Sequence, residues 1–166
     1  MAQPPMRNNS ADDFQTPPEA LNPLLPYLQE DWVIWECAEG QGILTKTLRD
    51  EGFEVIGSDI LTGENFLLWQ PNEFDCIITN PPYSIKQQFL ERAYMLKKPF
   101  AFLLPLTTFE TEKRQKLFRE FGLEVIMFNK RINFHTPDGE GKGSWFATAW
   151  FTNWLNIGKE ITFANL

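Results

Sequence analysis

Residues 74–83, Phe74-Asp75-Cys76-Ile77-Ile78-Thr79-Asn80-Pro81-Pro82-Tyr83, set an apolar run directly against two prolines. The run reads as a fully buried strand. Proline lacks an amide hydrogen and restricts the residue before it, so neither strand nor helix continues through Pro81-Pro82. A buried strand with so abrupt an end fits the middle of an open α/β sheet, whose carboxyl edge is where such sheets bind ligands. Asn80, Pro81, Pro82 and Tyr83 are therefore candidate site residues. They offer a side-chain amide, a carbonyl that no sheet can use and an aromatic ring, a set suited to gripping a flat group that bears an amine. Asn-Pro is also a common turn signal, so the decision between site and plain turn falls to the rest of the chain.

The flanking pattern alternates strands with helices. Thr16 before Pro17 reads as a helix N-cap, and a short helix to about Gln29 is expected, kinked near Pro23 and Pro26. Strands are expected at 32–37, 54–58, 74–79, 99–104, 123–128 and 145–154, with helices near 40–50, 84–96 and 109–121. Gly122 is expected to cap the last helix. The glycine-rich 137–144 segment reads as a loop or hairpin tip. Such alternation implies a parallel sheet with helices on both faces, closed by an antiparallel strand pair. Residues 1–13 are polar and read as a flexible segment, leaving 14–166 as a single domain.

A second motif lies at the end of the first strand: Glu36-Cys37-Ala38-Glu39-Gly40-Gln41-Gly42. Glycines there let the backbone approach a ligand closely. A dinucleotide fold would want a third glycine where Thr45 stands, and a pyrophosphate would be repelled by Glu36 and Glu39. The acids suit a cationic ligand. Asp59, followed by Ile60, ends the second strand, where a carboxylate can accept two ribose hydroxyls; a plain turn cap is the structural alternative.

Taken in order, the glycine loop, Asp59 and Asn80-Pro81-Pro82-Tyr83 make the chain resemble the class I S-adenosyl-L-methionine (SAM) dependent amino-methyltransferases of the adenine-N6 branch. The resemblance runs from Phe14 to about Trp154. It implies a Rossmann-like fold with a mostly parallel seven-stranded sheet, and SAM as cofactor. It assigns Phe14 and Thr16 to the methionine end of SAM, and Glu36, Ala38, Glu39, Gly40 and Gly42 to the loop around it. Asp59 falls at the ribose, Ile60 beside it is a further cofactor contact, and Asn65-Phe66 fall at the adenine, Asn65 standing where the family carries an acid. Asn80 and the Pro81 carbonyl would accept the two hydrogens of the target amine. Tyr83 would stack on the flipped base, and Phe134 would face it from the other side. The family's target-recognition domain has no counterpart, so the resemblance is to a compact, phage-like catalytic domain of low or short sequence specificity.

Net charge is −7, but residues 1–80 carry 14 acids against 3 bases and residues 81–166 carry 8 against 12. The split fits an acidic cofactor half and a more basic face for a polyanion, with Lys113, Arg114, Lys130, Arg131 and Lys142 as candidate phosphate contacts. Nucleic acid is the expected partner, DNA first and RNA as an alternative; a specificity subunit or a homodimer is open. A protein-glutamine methyltransferase, whose family shares the Asn-Pro-Pro-Tyr grip, and an inactive supporting subunit are further readings. No apolar run is long enough for a membrane span, and no signal-peptide pattern opens the chain. Two cysteines in expected buried strands argue against a disulfide and for a cytoplasmic setting. One histidine and no Cys-x-x-Cys argue against a metal.

Overall fold

The computed structural model describes residues 15–136, 139–140 and 146–166. Seven strands form one sheet in the order β2-β1-β3-β4-β8-β5-β9. They are β1 (Val33–Glu36), β2 (Glu54–Gly57), β3 (Cys76–Thr79), β4 (Phe100–Pro105), β5 (Glu124–Phe128), β8 (Thr148–Asn153) and β9 (Ile161–Ala164). The two-residue strands β6 (His135–Thr136) and β7 (Gly139–Glu140) pair with each other, antiparallel. β1 through β4 run parallel. β8 runs antiparallel between β4 and β5, and β9 lies parallel to β5 at the edge.

The central strands are the apolar ones because both of their faces are covered. β3, β4 and β8 are buried at every position. α1 (Ile43–Asp50) packs Leu44 and Leu48 onto one face with Ile34, Ile78, Leu103 and Trp150. α2 (Lys86–Leu96) packs Phe89, Leu90, Ala93 and Tyr94 onto the other, with Trp35, Ile77, Phe100 and Phe102. α3 (Glu112–Phe121) adds Leu117 and Phe118 to that second layer. Both cysteines, Cys37 and Cys76, are buried thiols. Among the described residues no helix is long and apolar enough to cross a membrane.

Local differences from the sequence expectation have local causes. The expected helix up to Gln29 is two short 3-10 turns, Pro18–Leu21 and Leu25–Tyr27. Pro23 and Pro26 cannot donate the amide bonds an α-helix needs there. Thr16 is not the cap of the first turn: Pro17 holds that position in extended backbone, and no side chain caps it. The helix expected from Phe109 begins three residues later, capped by Thr111, whose hydroxyl accepts from the Arg114 amide. Gly122 does end it, at φ 94°. β9 has no counterpart in the sequence reading.

Candidate functional site

Because β2, β1 and β3 are parallel neighbours, their carboxyl ends present three polar side chains side by side: Asp59, Glu36 and Asn80. These open on a cleft of about 550 Å³ whose walls also include Thr16, Ala38, Glu39, Gly40, Ile60, Asn65, Phe66 and Pro82. Gln15, Cys37 and Gln41, which lie inside the motifs, line it too, as do Leu44, Leu61, Ile85 and Phe89, which no motif marks. Ile85 and Phe89 were legible only as the apolar face of a helix. Gly42 lies behind the wall as the N-cap of α1, in left-handed backbone at φ 80° that favours glycine. Phe14 is outside the described residues.

The 36–42 loop is braced by its own acids. The Ala38 amide donates to Glu36 Oε1 at 3.0 Å and the Gly40 amide to Asp59 Oδ2 at 2.9 Å. The Glu39 and Gly42 amides donate to the Ser58 and Glu39 carbonyls. Asp59 Oδ1 accepts from the Leu61 amide at 2.9 Å, so this carboxylate caps a turn while it faces the cleft. The Thr45 hydroxyl donates to Glu39 Oε2 at 2.9 Å, which holds that carboxylate over Gly57. A Cβ at Gly57 would fall 1.8 Å from Glu39 Oε2, so a side chain there would turn the Glu39 carboxylate out of its place over β2. Four loop amides thus satisfy the chain's own oxygens, and three carboxylates stand at the cleft wall. This arrangement attracts a cation and offers little to a phosphate.

Glu36 is only 2% exposed. Burial pushes its carboxyl up to about 8, with smaller help from the charges of Glu39 and Asp59; hydrogen bonds from the Thr79 hydroxyl and the Ala38 amide pull the other way. In the absence of a cation, then, Glu36 is a neutral acid at neutral pH.

Asn65 bends the chain: its Oδ1 accepts from the Leu67 amide at 3.0 Å, and its carbonyl from the Leu68 and Trp69 amides. Phe66 packs at 4.6 Å from the Phe89 ring and 5.1 Å from Trp35, so it belongs to the core and shows the cleft one side only. Arg92 of α2 donates to the Phe66 carbonyl and to Gln70, pinning this segment down.

Asn80 Oδ1 is buried in the cleft wall. Pro81 and Tyr83 are buried just beyond it, Tyr83 at the start of the turn leading into α2. Around Tyr83 the structure assembles an aromatic row: its ring meets Phe146 edge-on at 5.8 Å, and Phe146 stacks on Phe134 at 6.1 Å and 18°. Tyr83 and Phe134 are thus brought to one place, with Phe146 between them. From the sequence Phe146 is legible only as part of the expected strand 145–154.

The basic candidates divide. Lys130 and Arg131 are exposed after β5. Lys113 is ion-paired to Glu91 at 3.0 Å. Arg114 donates from Nε to the Thr108 carbonyl at 2.7 Å and braces the start of its own helix. Lys142 is outside the described residues.

No protein-family model matches the sequence, and no curated protein does. Solved structures do. A putative class I SAM-dependent methyltransferase from Listeria monocytogenes superposes with a TM-score of 0.63 at 15% identity, over 97% of this chain and 67% of its own. The fold is that of the class I methyltransferases. A type I restriction-modification methyltransferase subunit from Streptococcus thermophilus is similar at TM-score 0.60 and 19% identity, over 92% of this chain. A modification subunit of a putative type I restriction enzyme from Vibrio vulnificus follows at 0.53 and 14%, over 87%. This chain spans 47% and 45% of the length of those two subunits. The mostly parallel seven-stranded sheet is the architecture that the family resemblance implies, with β9 added to the six strands legible in the sequence.

Proposed function

We propose that this chain transfers a methyl group from SAM to the exocyclic N6 amine of adenine in DNA. The supporting observation is the pairing, on one cleft, of a carboxylate-lined glycine loop with Asn80 and Pro82 of the Asn80-Pro81-Pro82-Tyr83 turn. The cleft fits the cofactor by its donor set. Four of its loop amides are already occupied, which disfavours a pyrophosphate, while Glu36, Glu39 and Asp59 suit a ligand carrying an ammonium and a sulfonium. The volume is within the usual range for a small-molecule site.

Thr16, Glu36 and the 38–40 loop would hold the methionine end, Asp59 the ribose, and Ile60, Asn65, Phe66, Ile85 and Phe89 the adenine. When bound, the cofactor supplies an electrophilic methyl group on sulfur. The chain's own task is to make a poor nucleophile adequate, since adenine's amino lone pair is delocalised into its ring. Asn80 Oδ1, once turned from the wall toward the cleft, and the Pro81 carbonyl would accept the two amino hydrogens and favour a pyramidal nitrogen over the planar ground state. That is differential binding of the transition state, with orientation added. A base inside a duplex must first be extruded at a cost of a few kcal/mol, which stacking against the Tyr83–Phe146–Phe134 row would offset by about 1–3 kcal/mol. The names of the two restriction-system subunits favour DNA over RNA.

The test is incubation with methyl-labelled SAM and, separately, duplex DNA, single-stranded DNA, RNA and protein extract, followed by mass spectrometry of the digested product. N6-methyladenine in DNA, lost in Asn80→Ala, is the expected result. Label confined to protein or RNA, or an Asn80→Ala variant as active as the parent, refutes the reading.

A further inference from the structure

We infer that β9 is a dimerisation edge: two copies of this chain join their sheets through antiparallel pairing of residues 160–164. The inference rests on the outer edge of the sheet and stands apart from the catalytic reading.

The β5–β9 ladder fixes which groups of β9 are in use. The Val125 amide donates to the Glu160 carbonyl and the Asn129 amide to the Ala164 carbonyl, in the register Val125↔Ile161 and Met127↔Phe163. Even-numbered residues of β9 therefore face β5. The amides and carbonyls of Ile161 and Phe163 point away from it, off the edge of the sheet.

Their side chains are equally unaccounted for. Ile161 is 50% exposed and Phe163 is 84% exposed. Both lie on the α3 side of the sheet, the side of Val125 and Met127, beside a groove that includes Phe118 and Leu123. Edge strands are normally blunted by a lysine, a proline or a bulge, and Ile-Thr-Phe-Ala carries none of these.

A second copy supplies what this edge lacks, and one register does so best. A two-fold axis through Thr162 sets Ile161 of each copy opposite Phe163 of the other. Those are the residues whose backbone groups point outward, so each such pair closes two hydrogen bonds. The same register makes two Ile–Phe cross-strand pairs on the α3 face, a favourable type. It sets Glu160 against Ala164, with no like charges opposed. Shifting the axis by one residue toward Glu160 sets Phe163 opposite Lys159, and shifting it toward Phe163 leaves Ile161 opposite Asn165. Among the registers that the backbone permits, the side chains thus favour this one.

The test is sedimentation of the 166-residue chain over a concentration series, with Phe163→Lys as the variant. Phe163 is mostly exposed, so the substitution should leave the melting temperature in place while weakening the dimer by more than about tenfold, the effect of an unpaired charge at an interface centre. A register test follows from the opposite pair, whose Cα separation of about 5.5 Å lies within disulfide reach. A mixture of Ile161→Cys and Phe163→Cys proteins should cross-link on oxidation, and each variant alone far less. A wild-type monomer at every concentration overturns the inference, as does a dimer indifferent to Phe163→Lys. Cross-linking of Ile161→Cys alone that matches the mixture overturns the register.

Discussion

Glu36 offers the sharpest quantitative test. Its carboxyl sits at about 8 in the folded protein, against an ordinary value of 4.5. A carboxyl raised on folding binds its proton more tightly in the native than in the unfolded state, so stability falls as pH rises between the two values. At 1.36 kcal/mol per unit, the penalty is about 5 kcal/mol above about pH 8, about 3 kcal/mol at pH 7 and under about 1 kcal/mol at pH 5. Glu36→Gln keeps an Oε1 acceptor for the Thr79 hydroxyl and the Ala38 amide while abolishing the titration. The variant should be more stable than the parent by about 3 kcal/mol at pH 7, with the gap closing toward pH 5. Urea unfolding at several pH values measures both slopes. The same proton is displaced when a cation settles in the cleft, so calorimetry in buffers of different ionisation enthalpy should show proton release on SAM binding near pH 7. Glu36→Gln should bind more weakly and release none. Parallel stability curves for parent and variant would refute the buried-acid argument, and proton-neutral binding by the parent would remove Glu36 from the cofactor's field.

Asp59→Ala removes acceptors from the Gly40 and Leu61 amides, each bond to a charged group worth about 1.5–3 kcal/mol, and should lower both melting temperature and SAM affinity in calorimetry. Gly57→Ala should displace Glu39 from its place over β2 and weaken SAM binding more than it destabilises the fold, as calorimetry and thermal melts together would show. Phe146→Ala opens the space between Tyr83 and Phe134, and the KM for an adenine-containing oligonucleotide should shift by more than about threefold while SAM affinity holds. Replacing Lys130 and Arg131 with Gln should flatten the salt dependence of DNA binding by about two in the log–log slope. Arg114→Gln should instead lower stability, because its guanidinium is spent on the Thr108 carbonyl.

What was legible in the sequence followed from strong local rules. Two prolines after an apolar run fix a strand end whatever surrounds them, and Gly122 and the 36–42 loop announced themselves by backbone need. β9 escaped because four residues at an edge, half of them exposed, carry no burial pattern to read. Ile85 and Phe89 escaped for another reason. A periodic apolar helix face looks the same whether it meets core or cleft, and only the placement of α2 at the end of β3 turns it into a wall. Phe146 became visible only when β8 brought it beside Tyr83, 63 positions away in the chain. The 17–28 segment shows propensity losing to proline spacing: its apolar residues are buried as a helix would bury them, on a backbone that cannot be one.

The antiparallel strand β8 has a consequence for how the chain is made. It separates β4 from β5 and pairs with both, so a nascent chain that has not yet released residues 148–153 holds two apolar strands with no bridge between them. Its Trp150 also donates from the indole nitrogen to the Ala20 carbonyl at 2.8 Å, a contact spanning 130 positions. That bond ties down the turn beside Gln15 and Thr16, which wall the cleft. Domains fold largely as synthesis proceeds, and contacts of such long range come late because loop closure precedes their reward. The ribosome must therefore release residues through β8 before the Gln15–Thr16 side of the cleft is tied down, and a product cut before β8 would expose the edges of β4 and β5 as sticky, unpaired strands.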